Sequence, residues 1–385
     1  MRRSVWKRYK GNTSALIGAG FILVLTTIAI GGAYLRPDSS ANANQQQLSI
    51  ARLPMGSEVQ VLNVSRYGIQ DSRLFQGLLF GGLEQDSRES VFDSLTFEAD
   101  KVVLMFKGSV TEKFLLAEVC FDLAQNTYSY TPPNIKFDAG SRSFVFTENE
   151  LRAQVNNEYV LRKRFLLGTD SFGRDLLSRL MSGIIVSLSV GLISVLISLT
   201  IGILMGAIAG YFRGWVDEVV MWLINVIWSI PTLLMVIAIT LVLGKGFVQV
   251  FIAVGLTMWV EVARIVRGQF ISLRESAFVE AGRSMGFSGI RLMLKHMLPN
   301  AMGPVIVISA ANFASAILIE AGLSFLGIGT QIPMASWGTM IKEHYGYITT
   351  DLAYLAYLPG LCITLMVLAF TLVGNGLRDA LDVRS

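Results

Sequence analysis

The side chains that most often carry catalysis or bind metals are scarce in this sequence. Its 385 residues include two cysteines, Cys120 and Cys362, and two histidines, His296 and His344. None of these four residues has a second potential metal ligand at a suitable spacing, and the two cysteines do not provide a disulfide framework. No phosphate-binding loop that ends in Gly-Lys-Ser or Gly-Lys-Thr is found either, since Gly244-Lys245-Gly246 lacks that pattern. We therefore predict no catalytic residue, no metal site and no cofactor in this chain.

The most informative polar segment is Ser272–Met285, whose pattern predicts a short amphipathic helix. Phe278, Ala281 and Met285 recur at i, i+3 and i+7 and therefore share one face. The small residues Ala281 and Gly282 would let another protein approach that face closely. On spacing alone, an ordinary amphipathic connector lying on a membrane explains the pattern equally well.

Two glycines follow this predicted helix. Gly286 and Gly289 allow a sharp reversal of the chain, because glycine adopts backbone conformations that are closed to other residues. We expect the reversal to lead into a second helix. Pro299 is then expected to separate that helix from the apolar segment behind it.

Six apolar segments must position these residues. The chain is 52% hydrophobic and only 16% charged, whereas soluble domains have about 25% charged residues. A helix needs about 20 apolar residues to cross a bilayer, and in hydrocarbon every backbone polar group must be paired within the segment. The sequence therefore predicts an all-α polytopic membrane protein with six transmembrane helices. The segments are Ala15–Leu35, Gly183–Phe212, Val219–Gly244, Gly246–Val260, Met297–Ile319 and Leu352–Leu377.

Basic residues are distributed unevenly around these segments. Five of the first ten residues are arginine or lysine, and residues 264–295 contain six basic residues against Glu275 and Glu280. By the positive-inside rule both regions belong in the cytoplasm. With six spans, both termini are then cytoplasmic.

The first apolar segment has two interpretations. A basic start, an apolar stretch and Ala41-Asn42-Ala43 together resemble a secretory signal peptide with its cleavage site. The apolar stretch of a signal peptide has about 7–15 residues, and this one is longer. We expect an uncleaved anchor helix.

The residues between the first two apolar segments have a different composition. β-rich runs occur at Val102–Phe106, Phe114–Phe121 and Ser143–Phe146, separated by turn-forming residues. They predict a mainly β extracytoplasmic domain, inserted between the first and second helices, whose function its sequence does not indicate. The predicted organisation is a cytoplasmic N-terminus (1–13), a first helix (14–35), the insertion (36–164), a core with five transmembrane helices and a cytoplasmic loop at 267–298 (165–377), and a cytoplasmic tail (378–385).

The residues of the predicted loop match a known signature. Binding-protein-dependent ABC permeases carry the pattern E-A-A-x3-G-x9-I-x-L-P in a cytoplasmic loop. This sequence differs from the pattern by Gly282 in place of the second alanine and His296 in place of the isoleucine. The residues that resemble it are Glu280, Ala281, Gly286, Leu298 and Pro299.

Four further motifs narrow the resemblance to the C-type permease of dipeptide and oligopeptide importers. They follow one another in the family's order, and together they are far more specific than any one motif. They are L-G-T-D-x-x-G-R-D at Leu167–Asp175, E-A-x-L-S-F-L-G at Glu320–Gly327, S-W-G at Ser336–Gly338 and G-L-R-D-A-L-D at Gly376–Asp382.

Several positions depart from the family pattern. Phe165-Leu166 replaces the usual His-Pro, and Trp222 and Asn225 stand where an arginine and an aspartate are common. Asn375 and Val383 replace an aspartate and a proline. The insertion is also far longer than the usual first outer loop. These departures concern the choice of cargo more than the fold.

The resemblance implies a division of labour in the bacterial plasma (inner) membrane. This chain would pair with a second, distinct permease subunit as a heterodimer, and two ATPase subunits would bind ATP and Mg²⁺. An extracytoplasmic solute-binding protein would deliver a dipeptide or oligopeptide. Nickel chelates or glycosides stay open as cargo, and a membrane-anchored sensor is a further alternative. The residues that would couple to an ATPase are Phe278, Glu280, Ala281, Gly282 and Gly286.

Other residues are candidates for the pathway or its outer gate. Asp170, Arg174 and Asp175 precede the second segment, where an ion-pair network at the outer rim or a substrate contact is expected. Pro231 is expected to kink the third segment and free backbone groups. Glu261 either extends towards the inner surface or pairs with a nearby arginine.

Two more candidates lie near the outer end of the fifth segment. Glu320 lines the pathway, or it accepts hydrogen bonds where the helix breaks at Gly322 and Gly327. Trp337 is expected to be an anchor at the membrane interface, or a cap over the cavity.

Overall fold

The computed structural model of the protein describes residues 2–65, 78, 82–83, 87–123, 127–139 and 142–381. They divide into a helical unit, Met1–Ile30 with Ser182–Ser385, and a β unit, Gly31–Met181. Residues 382–385 of the predicted tail, and short parts of the predicted insertion, lie outside the described residues.

Two helices open the chain, α1 (Arg2–Gly11) and α2 (Thr13–Gly31). Asn12 lies between them, and its side-chain oxygen accepts a 3.0 Å hydrogen bond from the amide of Ala15, which caps α2. Together with the 3-10 turn Gly32–Tyr34 that continues it, α2 forms an apolar helix, Thr13–Tyr34, of 22 residues. That length is enough to cross a membrane.

Nine strands occur among the described residues of the β unit, in three antiparallel sheets of three strands. The elements are β1 (Ser57–Ser65), β2 (Ser87–Phe92), β3 (Ser94–Glu98), β4 (Lys101–Phe106), β5 (Ser109–Leu115), α3 (Leu116–Cys120), β6 (Ser129–Thr131), β7 (Asn134–Ala139), β8 (Arg142–Thr147), α4 (Glu148–Gln154) and β9 (Val160–Phe165). The strand orders are β2-β1-β9, β3-β4-β5 and β6-β7-β8. In the first sheet, Val61 lies opposite Val91 on one side and Leu161 on the other.

Alternating side chains form the core of the β unit. On β7, Ile135 and Phe137 are buried while the residue before each is exposed, which is the period of a strand with one face on a core. The ring of Phe121 lies 5.0 to 5.4 Å from those of Phe137, Phe144 and Phe146. Phe137 is fully buried, and full burial of such a ring stabilises the unit by roughly 1.5–3 kcal/mol relative to exposure.

The predicted strand Phe114–Phe121 is a strand only at its start. β5 ends at Leu115, whose amide donates a 3.3 Å hydrogen bond to the Glu118 carboxylate and so begins α3. Helical spacing then buries Leu116 and Val119 together. The expectation of a continuous strand is wrong because an acid three residues after Leu115 caps a helix there.

The remaining helices lie in the helical unit, apart from the first residues of α5. A π-helical turn, Leu292–Met297, joins two of them, α10 and α11. They are α5 (Leu176–Phe212), α6 (Gly214–Trp228), α7 (Thr232–Leu243), α8 (Phe247–Arg274), α9 (Ala277–Ser284), α10 (Gly289–Arg291), α11 (Leu298–Phe325), α12 (Trp337–His344) and α13 (Tyr354–Leu381).

Five helices within the described ranges are long and apolar enough to cross a membrane. They are Thr13–Tyr34, Leu176–Phe212, Phe247–Arg274, Gly289–Phe325 and Tyr354–Leu381. α6 and α7 form a sixth candidate if the pair is one broken span, since they are bent by 91°. The bend lies at the predicted position, just before α7, where Pro231 has no amide hydrogen to continue a helix.

A row of glycines brings α5 against α8. Gly202, Gly206 and Gly210 recur every four residues and therefore share one face of α5. A Cβ added at Gly206 would lie 2.5 Å from the Ala263 carbonyl oxygen and 2.8 Å from Val266 Cβ. Small residues are the usual means by which membrane helices approach so closely.

Two predicted helix boundaries are wrong. Ser272–Met285 is not one helix, because Ser276 is extended and separates α8 from α9. Pro299 does not separate α10 from the span behind it, since the chain is helical throughout Gly289–Phe325. Pro299 is tolerated at the start of α11 because it directly follows the π-helical turn Leu292–Met297, where the pattern of backbone hydrogen bonds already changes.

Candidate functional site

The loop between α8 and α11 holds the residues predicted to bind another protein. We call residues 275–291 the α8–α11 loop. At its start the Arg213 guanidinium pairs with Glu275 at 2.7 Å. On α8 itself, Arg267 pairs with Asp217 of α6 at 2.5 Å. These two ion pairs fix the end of α8, from which the loop begins.

The two faces of α9 differ in burial. Phe278 and Met285, just past the helix end, are 43% and 71% exposed, and Ala281 between them is exposed too. Val279 on the other face is fully buried. Large apolar side chains exposed together on one short helix are typical of a protein-binding surface.

Gly282 lies on the buried face of α9 rather than on the exposed one. A Cβ added there would lie 2.7 Å from Leu292 and 3.3 Å from Phe287. The expectation that Gly282 lets a partner approach is therefore wrong. The residue is small because α9 packs against its own chain at this point.

Gly286 ends α9 in a left-handed conformation, with a φ of 78°. Its amide donates to the Arg283 carbonyl at 2.9 Å, and the Phe287 amide donates to the Gly282 carbonyl at 3.0 Å. This pair of bonds is the Schellman arrangement, which favours glycine at the left-handed position. Gly286 therefore sets the direction of the chain that follows α9.

The charged residues of the loop are arranged around α9. Glu280 is exposed in the first turn of the helix, where the helix dipole favours an acid. Arg291 lies 4.1 Å above the ring of Phe287, and Arg283 lies 5.8 Å from that of Tyr211. The loop thus presents an exposed carboxylate beside an apolar surface, with its arginines placed against aromatic rings.

Glu320 is fully buried near the end of α11. Its Oε1 accepts hydrogen bonds from the hydroxyls of Ser324, at 2.7 Å, and Ser336, at 2.8 Å. The Ser324 hydroxyl also accepts the amide of Thr330 at 3.1 Å. The carboxylate therefore ties the segment between α11 and α12 to α11 itself.

The predicted helix break at Gly322 is wrong, because α11 continues to Phe325. The chain turns only at Gly327, which has a φ of 79°. Trp337 is 1% exposed, so the expectation of an anchor at the membrane interface is also wrong. A Cβ added at Gly183 would lie 2.6 Å from its ring, so this tryptophan, the first residue of α12, packs against α5.

In the β unit, Asp170 and Arg174 form an ion pair of 2.5 Å in which both side chains are 1% exposed. Asp175 accepts bonds from the amide of Ser178 at 2.8 Å and from its hydroxyl at 2.5 Å. Burial raises the pKa of the Asp175 carboxyl. The ion pair between Asp170 and Arg174 forms as predicted, but it is buried rather than at an exposed rim. Asp175 does not join this ion pair and instead caps α5.

A cavity of about 220 Å³ lies beside the bend between α6 and α7. Its polar lining comes from Thr232 after the bend, Thr257 and Glu261 on α8, and Ser315 on α11. Trp228 supplies an aromatic wall just before the bend. A cavity with a few polar groups in an apolar wall is typical of a small-molecule site.

Arg264 contacts the aromatic wall of this cavity. Its guanidinium carbon lies 3.5 Å from the centroid of the Trp228 ring, and its Nη2 donates a 2.9 Å hydrogen bond to Asn225. Sequence analysis singled out Asn225 only as a departure from an aspartate. The sequence shows that an arginine lies within α8. It does not show the bend that brings α6, and with it Asn225, to this arginine.

Two family profiles match the sequence. Residues 202–385 match the family described as "Binding-protein-dependent transport system inner membrane component". Residues 1–54 match "N-terminal TM domain of oligopeptide transport permease C". The glutathione transport system permease protein GsiD of Pectobacterium atrosepticum is 39% identical over 216 residues, which are 56% of this chain and 71% of that protein.

The chain belongs to this permease family. The oligopeptide transport system permease protein OppC of Bacillus subtilis is 40% identical to the permease over 216 residues, which are 56% of this chain and 70% of that protein. A solved inward-facing structure of the MetNI methionine ABC transporter overlaps 53% of the permease and 96% of its own chain, at 18% identity and a TM-score of 0.45. Family and apolar helices together make the permease an integral protein of the inner membrane.

The predicted residues of the permease lie in several separate places. Phe278, Glu280 and Ala281 are all exposed on α9. Pro231 stands at the bend beside the cavity, between two of its lining residues. Glu320 belongs instead to the turn between α11 and α12.

Proposed function

We propose that the permease forms half of a peptide-conducting pathway in an ATP-driven importer. The observation that carries this proposal is the pair of relatives named for glutathione and oligopeptide transport, which are 39% and 40% identical, each over 216 residues. Both cargoes are peptides. The ordered motifs from Leu167 to Asp382 favour the same class.

Uptake by cells tests the proposed cargo. Cells lacking this gene should lose uptake of labelled trialanine or glutathione, and the gene should restore it. Unlabelled peptides should compete in the restored cells, while a nickel chelate or a glycoside should not. Competition by the chelate or the glycoside alone would assign the permease to a different cargo.

The exposed side of α9 is the proposed contact with an ATPase subunit. Phe278 and Ala281 offer an apolar surface, and the Glu280 carboxylate can accept charge-assisted hydrogen bonds from a basic partner. ATP and Mg²⁺ would bind to the two ATPase subunits, and this chain would do no catalysis. ATP acts on the pathway only if the loop makes different contacts in the two states of the importer.

Substitutions at Glu280 test this contact in a graded way. Glu280→Gln removes the charge, and Glu280→Lys also places a cation against a basic partner, which costs several kcal/mol. Co-purification of the ATPase subunits should therefore fall from wild type to Gln to Lys, with normal membrane insertion throughout. Equal co-purification and equal peptide-stimulated ATP hydrolysis in all three would mean that α9 is only a connector.

We further propose six spans, with α6 and α7 as one broken span and both termini in the cytoplasm. The basic residues of 264–295 support this orientation, and it places residues 36–164 outside. A second permease subunit and a solute-binding protein complete the proposed assembly.

Thiol labelling tests the orientation. Ser109 of β5 and Ser284 of α9 are both exposed, so each can carry a single cysteine in a variant whose Cys120 and Cys362 are alanine. A membrane-impermeant maleimide should label Ser109→Cys in intact cells and label Ser284→Cys only after lysis. The reverse pattern would overturn the proposed topology.

A further inference from the structure

An acidic side chain lies near the inner end of the apolar part of α8. Glu261 directly follows the charge-free segment Gly246–Val260 and precedes Arg264, the first of the basic residues proposed to be cytoplasmic, by three residues. Its side chain is exposed and lines the cavity beside the bend. An ionisable group that faces a cavity of a membrane span is a candidate for function.

No other group of the described chain holds this carboxylate. None of the described residues makes a hydrogen bond or an ion pair with the Glu261 side chain. Arg264, one turn further along α8, is directed instead to Asn225 and to the ring of Trp228. Glu261 therefore contributes a charge to the cavity wall without contributing a bond that holds the fold together.

The other groups around the cavity favour a cation. Thr232, Thr257 and Ser315 bring hydroxyl oxygens that can accept hydrogen bonds. No lysine or arginine is found among the described residues that line the cavity. The rest of the wall is apolar and includes Ile227, Met235 and Ile319. It therefore offers few groups that could compete with the carboxylate for a bound cation. An ammonium group, with three N–H donors, fits one carboxylate and several hydroxyls.

The size of the cavity limits what enters it. Pockets that enclose a whole small molecule usually have about 300–1,000 Å³, and this one has about 220 Å³. It therefore has room for one end of a peptide rather than for the whole molecule. The end that carries an ammonium group is the amino terminus.

We propose that Glu261 binds the protonated α-amino group of a peptide as the peptide passes the bend between α6 and α7. This inference rests on the proposed function, because it requires peptide cargo. The hydroxyls of Thr257 and Ser315 accept the remaining N–H donors, and the Trp228 ring bounds the site on the side of α6.

Chemical labelling tests whether the amino group reaches the carboxylate. The purified importer, in lipid nanodiscs, is treated with a water-soluble carbodiimide and an excess of methoxyamine, which convert exposed carboxylates into stable amides, and modified carboxylates are identified by mass spectrometry. Trialanine should protect Glu261, while N-acetyl-trialanine, which lacks only the charged amino group, should not. Glu218, exposed on α6, is the internal control and should be modified equally in all samples. Failure to label Glu261, or equal protection by both peptides, would contradict the inference.

Transport measurements separate this inference from the proposed function. Glu261→Gln keeps the shape of the side chain and removes its charge, so trialanine uptake should fall about tenfold or more. Glu218→Gln makes the same chemical change outside the cavity and should transport as wild type does. If wild type itself takes up no trialanine, the proposed function fails and this inference with it. If wild type and Glu261→Gln take it up equally, only the inference fails.

Discussion

At Gly286 the backbone of the permease takes a φ of 78°, and two hydrogen bonds close α9 around it. Valine reaches that region only with strain, of order 1–3 kcal/mol. No atom lies within 4 Å of a Cβ added at Gly286, so strain alone and no clash would act. Gly286→Val should therefore redirect the chain after α9 and abolish peptide-stimulated ATP hydrolysis, while membrane insertion stays normal.

A second glycine supplies the control for this substitution. Gly20 of α2 also has open space around an added Cβ, and its φ is not in the left-handed region. Gly20→Val should keep coupled ATP hydrolysis in the reconstituted importer. Full coupling in Gly286→Val as well would show that the direction of the chain after α9 does not matter.

Glu320 is expected to hold the structure together rather than to contact cargo. Its Oε1 accepts hydrogen bonds from both serine hydroxyls. Glu320→Gln keeps that acceptor, so the free energy of unfolding should change by about 1 kcal/mol or less. Glu320→Ala removes the acceptor and should cost about 1–3 kcal/mol, since each of the two hydrogen bonds is worth roughly 0.5–1.5 kcal/mol. Thermal unfolding in detergent should rank the three proteins in that order. Loss of transport in Glu320→Gln at unchanged stability would instead assign Glu320 to the pathway.

Among the elements, α5 and α8 approach each other closely at the glycine row. Gly206→Leu would drive a side chain into the Ala263 carbonyl and Val266, and overpacking of this kind typically costs about 1–3 kcal/mol. The melting temperature of the detergent-solubilised permease should fall, and Gly206→Ala should fall less. Gly303→Leu on α11 is the matched control, because no atom lies within 4 Å of a Cβ added there. Equal melting temperatures for Gly206→Leu and Gly303→Leu would show that the close approach is not required.

The apolar segments could be predicted because membrane length and hydrophobicity are local properties of the sequence. The 91° angle of the bend could not be predicted in the same way, since Pro231 indicates a kink but not its angle. The spacing of Gly202, Gly206 and Gly210 was visible in the sequence, yet its partner face on α8 was not. Contacts of this kind depend on residues far apart in the chain, and one hydrophobic pattern does not specify them.

The candidate site was partly predictable for a related reason. The period of α9 correctly placed Phe278 and Ala281 on an exposed face. It misplaced Gly282, because glycine has no side chain whose burial a hydrophobic pattern could indicate. The cavity around Glu261 depends on four helices, α6, α7, α8 and α11, that meet at the bend, and no single segment of the sequence encodes that arrangement.

Within the β unit, the residues that precede β1 are bound to those that follow β9. The Thr169 hydroxyl donates to the Ile50 carbonyl at 2.5 Å, and the Ser178 hydroxyl accepts the amide of Asp38 at 2.8 Å. The Arg179 guanidinium donates to the Asn42 carbonyl at 3.2 Å. The insertion therefore has a base, residues 38–56, that holds the start of α5, and a body beyond it.

The body of the insertion should be removable if the base is kept. Val59 of β1 and Lys163 of β9 are directly opposite each other, so an Asn-Gly turn can join them in place of residues 60–162. This short variant should insert, assemble and transport trialanine as wild type does. Replacing residues 40–159 with a flexible linker removes Asn42 and Ile50, and with them two of the bonds that hold the start of α5, so that variant should yield less assembled importer. Size-exclusion chromatography and uptake in cells measure both outcomes. Loss of transport in the short variant, despite correct assembly, would mean that the body of the insertion takes part in delivering or conducting the peptide.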